Sequence, residues 1–272
     1  MCVDKRVGKG WARGLTAATD PRVARAAAAH RGMMYERRTP VELCRWPLAS
    51  RTTLPIDWSD EMAYIVGLTA TDGCLITGRR SINFKSQDRD LVETYLSVLG
   101  RTNRIRIERT RIGGVVHTTQ FADARLYEWF RGIGLTPRKS LTLGAIDVPD
   151  QCLAALVRGL LDGDGSISNF VHEPTRRSYP KYRYERLWVF FHSASGAHIE
   201  WLRSRLSALT GSDGYVEIRT EAGRHDFFRL KYGKRASIAL LQRLYENPNA
   251  PRLMRKWRIW DGYELRNRLR AS

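Results

Sequence analysis

Residues 65–73 read IVGLTATDG and residues 157–165 read VRGLLDGDG. Each phrase runs apolar and small residues over about two helical turns and stops at Asp-Gly, the pattern of a packed helix that ends in a turn. The two aspartates, Asp72 and Asp164, lie 92 residues apart, close to the length of one small domain. Each phrase also carries a glycine inside the helix, Gly67 and Gly159. An interior glycine costs about 1 kcal/mol relative to alanine, so matched glycines mark a close backbone approach. If the helices cross at these glycines, Asp72 and Asp164 come side by side at the shared C-terminal tips. There two carboxylates repel one another and the helix dipoles unless a divalent cation sits between them. All-oxygen ligation suits Mg2+ or a similar divalent cation such as Mn2+.

Working outward, the neighbourhood of each phrase repeats as well. Ser59 and the acids after it open the first helix as a cap. SINFKS (81–86) alternates as a half-buried strand, and QDRDLVETYLSVLG (87–100) has helical spacing that ends on Gly100. NRIRIER (103–109) alternates again, with Ile105 and Ile107 expected inward. VVHTTQF (115–121) follows the Gly113-Gly114 turn, and ARLYEWFRGIG (124–134) reads as a short amphipathic helix. After Pro149 the order returns: helix QCLAALVRGLLDG, strands SISNF and RLWVFFHS, helix AHIEWLRSRLSALTG, strands YVEIR and DFFRLKY, and helix KRASIALLQRLYE. Phe84-Lys85-Ser86 corresponds to Phe191-His192-Ser193, the larger offset reflecting a polar loop, HEPTRRSYPKYRY. The reading is an α+β fold made of two αββαββα repeats. The expected divisions are a basic N-terminal extension (1–55), a first repeat (56–148) and a second (149–272).

The balance of 46 Lys+Arg against 28 Asp+Glu gives a formal charge of +18 and a pI near 10.3, which favours a polyanionic partner. Most of the basic residues are arginine. Its planar fork grips phosphate and guanine edges, although GC-rich coding accounts equally well for that ratio. Residues 1–55 hold eleven basic and four acidic residues. Asp20 and Pro21 open a candidate basic helix, with Gly32 as its stop, and a proline-punctuated stretch follows. A DNA-contacting arm and a basic tail both fit that segment. Four scattered cysteines support neither a disulfide framework nor a structural zinc site. No apolar run approaches membrane-span length, and an intracellular protein is expected. DGDGSISNFVHE (162–173) superficially suggests a calcium loop, but Ile167 stands where that turn needs glycine and a strand follows where a helix belongs.

The paired phrases resemble the LAGLIDADG homing endonucleases in their single-chain, two-motif form. GLTPRKSLTL (134–143) and LYENPNAPRLMRKW (244–257) are similar to that family's flanking segments. The resemblance spans about 58–265 and implies two four-stranded antiparallel sheets forming a saddle over double-stranded DNA. It implies hydrolysis of both strands, with metal held by Asp72, Asp164 and the carbonyls of Thr71 and Gly163. Asp162 occupies the motif's earlier acidic place, used mainly structurally; Ala70 stands there in the first copy. Lys85 and His192, at equivalent strand ends, match positions where the family puts polar groups near the attacking water. Lys234 matches a basic residue facing the scissile phosphate; its first-copy counterpart is Ala124, with Arg125 as substitute. Ordinary contact with DNA is an equal reading of Lys85, His192 and Lys234.

Outward strand residues are candidates for target reading. In the first half these are Arg79, Arg80, Asn83, Arg104, Arg106, Glu108 and Arg111. In the second they are Arg176, Arg177, Tyr182, Arg186, Glu217, Arg219, Arg229 and Lys231. The halves differ throughout, so an asymmetric target is expected; the resemblance implies a long site, a monomeric protein and a use in intron homing. The competing reading is a non-catalytic nucleic-acid binder, such as a maturase acting on intron RNA.

Overall fold

Two helices cross where each backbone is bare. A Cβ on Gly67 would lie 2.2 Å from the Leu156 carbonyl oxygen and 2.8 Å from the Leu160 nitrogen, and one on Gly159 only 2.3 Å from the Tyr64 oxygen. Any side chain there would force apart helix α2 (Asp60–Thr71) and helix α5 (Leu153–Asp162). Residues 62–70 of α2 are all buried, as a helix apolar on every side must be. The pair forms the centre of the hydrophobic core.

The computed structural model describes residues 16, 18–29, 51–110, 113–172, 184–220, 223 and 225–271. The chain divides into two units, 1–48 and 49–272. In the first, helix α1 (Pro21–Ala29) starts directly after Asp20. The Asp20 carboxylate accepts the Arg22 backbone N–H at 2.7 Å and pairs with the Arg22 guanidinium at 2.9 Å. This is the capping arrangement the sequence predicts; Gly32 lies outside the described residues.

In the second unit the Ser59 hydroxyl caps α2, accepting the Met62 N–H at 3.1 Å. Strands β1 (Gly73–Ile76) and β2 (Ser81–Ser86) follow, then helix α3 (Arg89–Val98), strands β3 (Arg106–Arg109) and β4 (Val115–Ala122), and helix α4 (Ala124–Gly132). Short 3-10 turns at Lys139–Leu141 and Asp150–Cys152 lead into α5. The second repeat gives β5 (Ser166–His172), β6 (Tyr184–Ser193), helix α6 (Gly196–Thr210), β7 (Tyr215–Arg219), β8 (Phe227–Tyr232) and helix α7 (Lys234–Leu244). Both sheets are antiparallel and four-stranded, in the equivalent orders β1-β2-β4-β3 and β5-β6-β8-β7. The fold is thus α+β with the expected repeat.

Two features depart from the sequence reading. Ile107 on β3, expected inward, is 66% exposed. β3 is an edge strand paired only with β4, and α3 packs chiefly on β2 and β4. Ile218 on β7 is stranded in the same way, 60% exposed. Helix α8 (Met254–Ala271) follows both repeats and lies along β5. Its Arg266 pairs with the buried Glu185 at 3.0 Å. Its Arg255 grips both oxygens of Asp88, ahead of α3, at 3.0 and 2.7 Å.

Candidate acidic site at the helix crossing

The tight crossing keeps the helix ends together beyond the glycines. A Cβ on Gly163 would sit 1.9 Å from the Thr71 hydroxyl oxygen, so the C-terminal turn of α5 rests directly on that of α2. Asp72 is the C-cap of α2, its N–H bonded to the Leu68 carbonyl. Gly163 caps α5, and Asp164 follows it. Neither aspartate's carboxylate takes a hydrogen bond or an ion pair from any described residue. Burial, and then the charge of Asp164, pushes the Asp72 carboxyl up to about 7, while Lys256 and Lys139 pull it down. Asp164 is raised as well, by burial, against Lys256, Lys139 and His192.

Asp162 does different work. It is fully buried and accepts the Tyr64 hydroxyl at 2.9 Å and the Leu253 backbone N–H at 2.8 Å, locking α5 to α2 and to the segment before α8. Burial lifts its carboxyl to about 6. Ala70, at the equivalent place in α2, is simply buried.

Two lysines absent from the sequence reading organise the turns. The Lys256 ammonium lies 2.7–2.8 Å from the carbonyls of Leu161, Asp162, Gly163 and Gly165. Helix ends leave such carbonyls without partners, and a cation there opposes the negative end of the helix dipole. Burial pushes the amine down to about 8 while Asp162 holds it up; only the charged form supplies three N–H groups for four acceptors. Lys139 donates to the Gly73 carbonyl at 2.5 Å in the first copy. Both lysines are buried. The available signal was an Arg-Lys pair after the last helix of each repeat, Arg138-Lys139 and Arg255-Lys256.

The other candidates scatter. His192 reaches the site: its Nδ1 lies 2.9 Å from the Asp164 carbonyl oxygen and therefore donates. With Asp164, Thr71, Phe227 and Arg229 it lines a cavity of about 470 Å3. Lys85 reaches the site through its backbone, whose N–H donates to the Asp72 carbonyl at 3.3 Å, while its ammonium pairs with Glu108 of β3 at 2.5 Å. Lys234 opens α7, as Ala124 opens α4. Its ammonium turns to the Tyr263 ring on α8, 5.7 Å away, drawn by a π face that the sequence reading had not placed there. The Gly163 carbonyl, expected to face metal, is taken by Lys256.

Among the target-reading candidates, Asn83 is buried and donates to Thr118 at 3.2 Å. Arg80 turns to Glu128 of α4 at 3.1 Å. Arg79, Arg104, Arg106 and Arg219 are exposed. Arg186, Arg229 and Lys231 lie over aromatic rings, and Glu217 pairs with Arg229 and Lys231. Arg111, Arg176, Arg177 and Tyr182 fall outside the described residues.

Among the described residues no group of three or more His, Cys, Asp or Glu side chains converges as a metal cluster. The donors on offer are two carboxylates without protein partners. Such a set fits a hard cation that keeps much of its water.

No family model matches the sequence, and no curated protein does. Solved structures with a similar fold are LAGLIDADG homing endonucleases and the LAGLIDADG domain of WhiA. A mesophilic variant of the homing endonuclease I-DmoI is 16% identical, with 74% of this chain and 97% of that one covered, at a TM-score of 0.46. A lysine-to-alanine mutant of I-SmaMI is 9% identical over 72% and 86% of the two chains, at 0.48. Full-length DUF199/WhiA from Thermatoga maritima is 14% identical over 71% of this chain, at 0.45. This chain spans 58% of that protein's length. At such identities the likeness is one of fold, not of chemistry.

Proposed function

We propose that the protein is a divalent-metal-dependent, site-specific endonuclease that hydrolyses both strands of DNA, of the kind that serves intron homing. The observation that carries this reading is the pair of carboxylates, Asp72 and Asp164, brought together by a glycine-to-glycine crossing and left without protein partners. Asp72, Asp164 and the Thr71 carbonyl would hold the cation, which when bound supplies Lewis acidity and a lowered water pKa at the phosphodiester. Lys256 fixes the α5 turn and so the backbone that carries Asp164. His192 donates to the Asp164 carbonyl through Nδ1 and lines the same cavity. The excess of arginine and lysine attracts the DNA backbone. Because each repeat supplies one acid, a monomer contains the whole site, and unlike sheet faces call for an asymmetric target.

The test is end-sequencing of a randomised plasmid library incubated with the protein and Mg2+. Cuts at one site by the wild type, abolished in Asp72→Asn and Asp164→Asn, are expected. Specific binding without nicking would instead favour the second reading, a non-catalytic binder such as an intron RNA maturase. The Lys256 ammonium on the Gly163 carbonyl is the observation on that side, since it competes with a cation for the same oxygen.

A further inference from the structure

Five residues separate Gly67 from Asp72, and five separate Gly159 from Asp164. At about 1.5 Å per residue, each acid lies about 7 Å along its helix from the point of crossing. A crossing of two helices is a pivot. Rocking them by about 8° moves each tip by about 1 Å, and a misplacement of about 1 Å costs up to about a hundredfold in rate. Gly163 resting on Thr71 stops the tips from closing further. Other contacts must stop them from opening.

Two straps do so, and they are built alike. After the first repeat the chain makes a tight turn, with the Leu143 N–H on the Lys139 carbonyl at 2.7 Å. Lys139 holds the first acidic turn through the Gly73 carbonyl. The carbonyls of Leu143 and Gly144 then reach the start of α6 in the second repeat. The first accepts the Ser195 hydroxyl at 2.6 Å and the second accepts Nδ1 of the buried His198 at 2.9 Å. The segment after the second repeat does the reverse. Lys256 holds the second acidic turn, while Arg255 beside it grips Asp88 in the first repeat.

Asp88 and Ser195 are equivalent residues. Each is the N-cap of the helix that follows the second strand of its repeat, and they lie 107 positions apart, the offset that relates Phe84 to Phe191. Asp88 also comes three residues after Lys85, whose N–H donates to the Asp72 carbonyl. One strap ends in a buried hydroxyl and the other in an ion pair, yet both run from one repeat's acidic turn to the other repeat's helix cap. A contact that served only to hold down α8 would not need that shared destination.

We propose that these reciprocal straps set the separation of the two carboxylates. Arg255, Asp88 and Ser195 are then positioning residues for the shared cation, and so for matched cutting of the two DNA strands. The cation and the cutting rest on the endonuclease reading; the straps do not.

The experiment measures Mn2+ binding to the full-length protein, without DNA, from the EPR signal of free Mn2+. Wild type should bind the ion and Asp72→Asn should lose it. Arg255→Gln and Asp88→Asn should each weaken binding about threefold, the scale of an exposed ion pair. Their double variant should be no weaker than either, because all three remove the same bond. Arg255→Lys keeps the charge and should restore most of the affinity. Ser195→Ala with Arg255→Gln, which cuts both straps, should reach about tenfold. Arg266→Ala removes an ion pair of α8 that stays within the second repeat and should leave Mn2+ binding unchanged. On a supercoiled plasmid carrying the site recovered from the library, the strap variants should accumulate nicked circles at unchanged KM for DNA. Mn2+ affinity unmoved by Arg255→Gln, or moved equally by Arg266→Ala, overturns the straps. Strap-dependent Mn2+ binding in a protein that never cuts overturns the endonuclease reading and leaves the straps standing. A wild type that binds no Mn2+ overturns both.

Discussion

Asp72 keeps its proton to near neutral pH, where an unburied aspartate has long since lost it. In the unfolded chain it ionises near 3.8 and in the folded protein near 7. Between those values the folded state binds more protons, so stability falls as pH rises through that window. Asp72→Asn removes the effect. In EDTA at pH 8 the variant should be more stable than wild type by roughly 2 kcal/mol, a figure discounted for solvent screening, with the gap closing near pH 4. Thermal melts at both pH values check this, and parallel curves would contradict it. Millimolar Mg2+ at pH 8 should raise the melting temperature of wild type and leave that of the variant unchanged. Lys256 makes a second prediction. Lys256→Met strands four carbonyls at the end of α5 and should cost about 3 kcal/mol or more, read from urea denaturation. The aspartates were legible because they sit in a repeated phrase. The lysines were not, because a lysine that caps a turn some ninety residues away leaves no local periodicity.

At the scale of elements, the crossing of α2 and α5 tolerates no added atom. Gly159→Ala places a methyl group against the Tyr64 carbonyl and the Gly67 α-carbon, which backbone cannot vacate as a side chain can. A loss of about 3 kcal/mol is expected, whereas Gly132→Ala, with open space around it, should be nearly neutral; chemical denaturation of the pair compares them. Arg255 holds the Asp88 carboxyl below the usual carboxylate range and ties α8 to the first repeat. Stability from that bond is present above about pH 4 and lost as pH falls through the lowered value. Arg255→Ala should therefore cost about 0.5–1 kcal/mol at pH 7 and progressively less as the pH falls below about 4, as paired urea titrations would show. Helix and strand positions within the two repeats were readable from period, whereas helix α8 was not. Ile107 and Ile218 were not, because alternation gives the side of a strand and says nothing of whether a helix reaches beneath it.

For the whole molecule, the charge of +18 predicts that DNA affinity drops at least about tenfold between 50 and 200 mM salt, measurable by anisotropy. The tandem architecture was legible because both copies keep their glycines and their strand order. The unlike sheet faces were hidden in plain residue types: Trp188 and Phe190 read as ordinary strand residues until the topology leaves them on the side without a helix. One consequence follows from where the capping lysines lie along the chain. Lys139 arrives 66 residues after the Gly73 carbonyl it binds, between the two motifs, whereas Lys256 arrives 93 residues after Gly163. In the order of synthesis, the lysine of the first acidic turn precedes the second motif, whereas that of the second follows it. The second turn waits 93 residues for its lysine, until the strands and helices of the second repeat have been made.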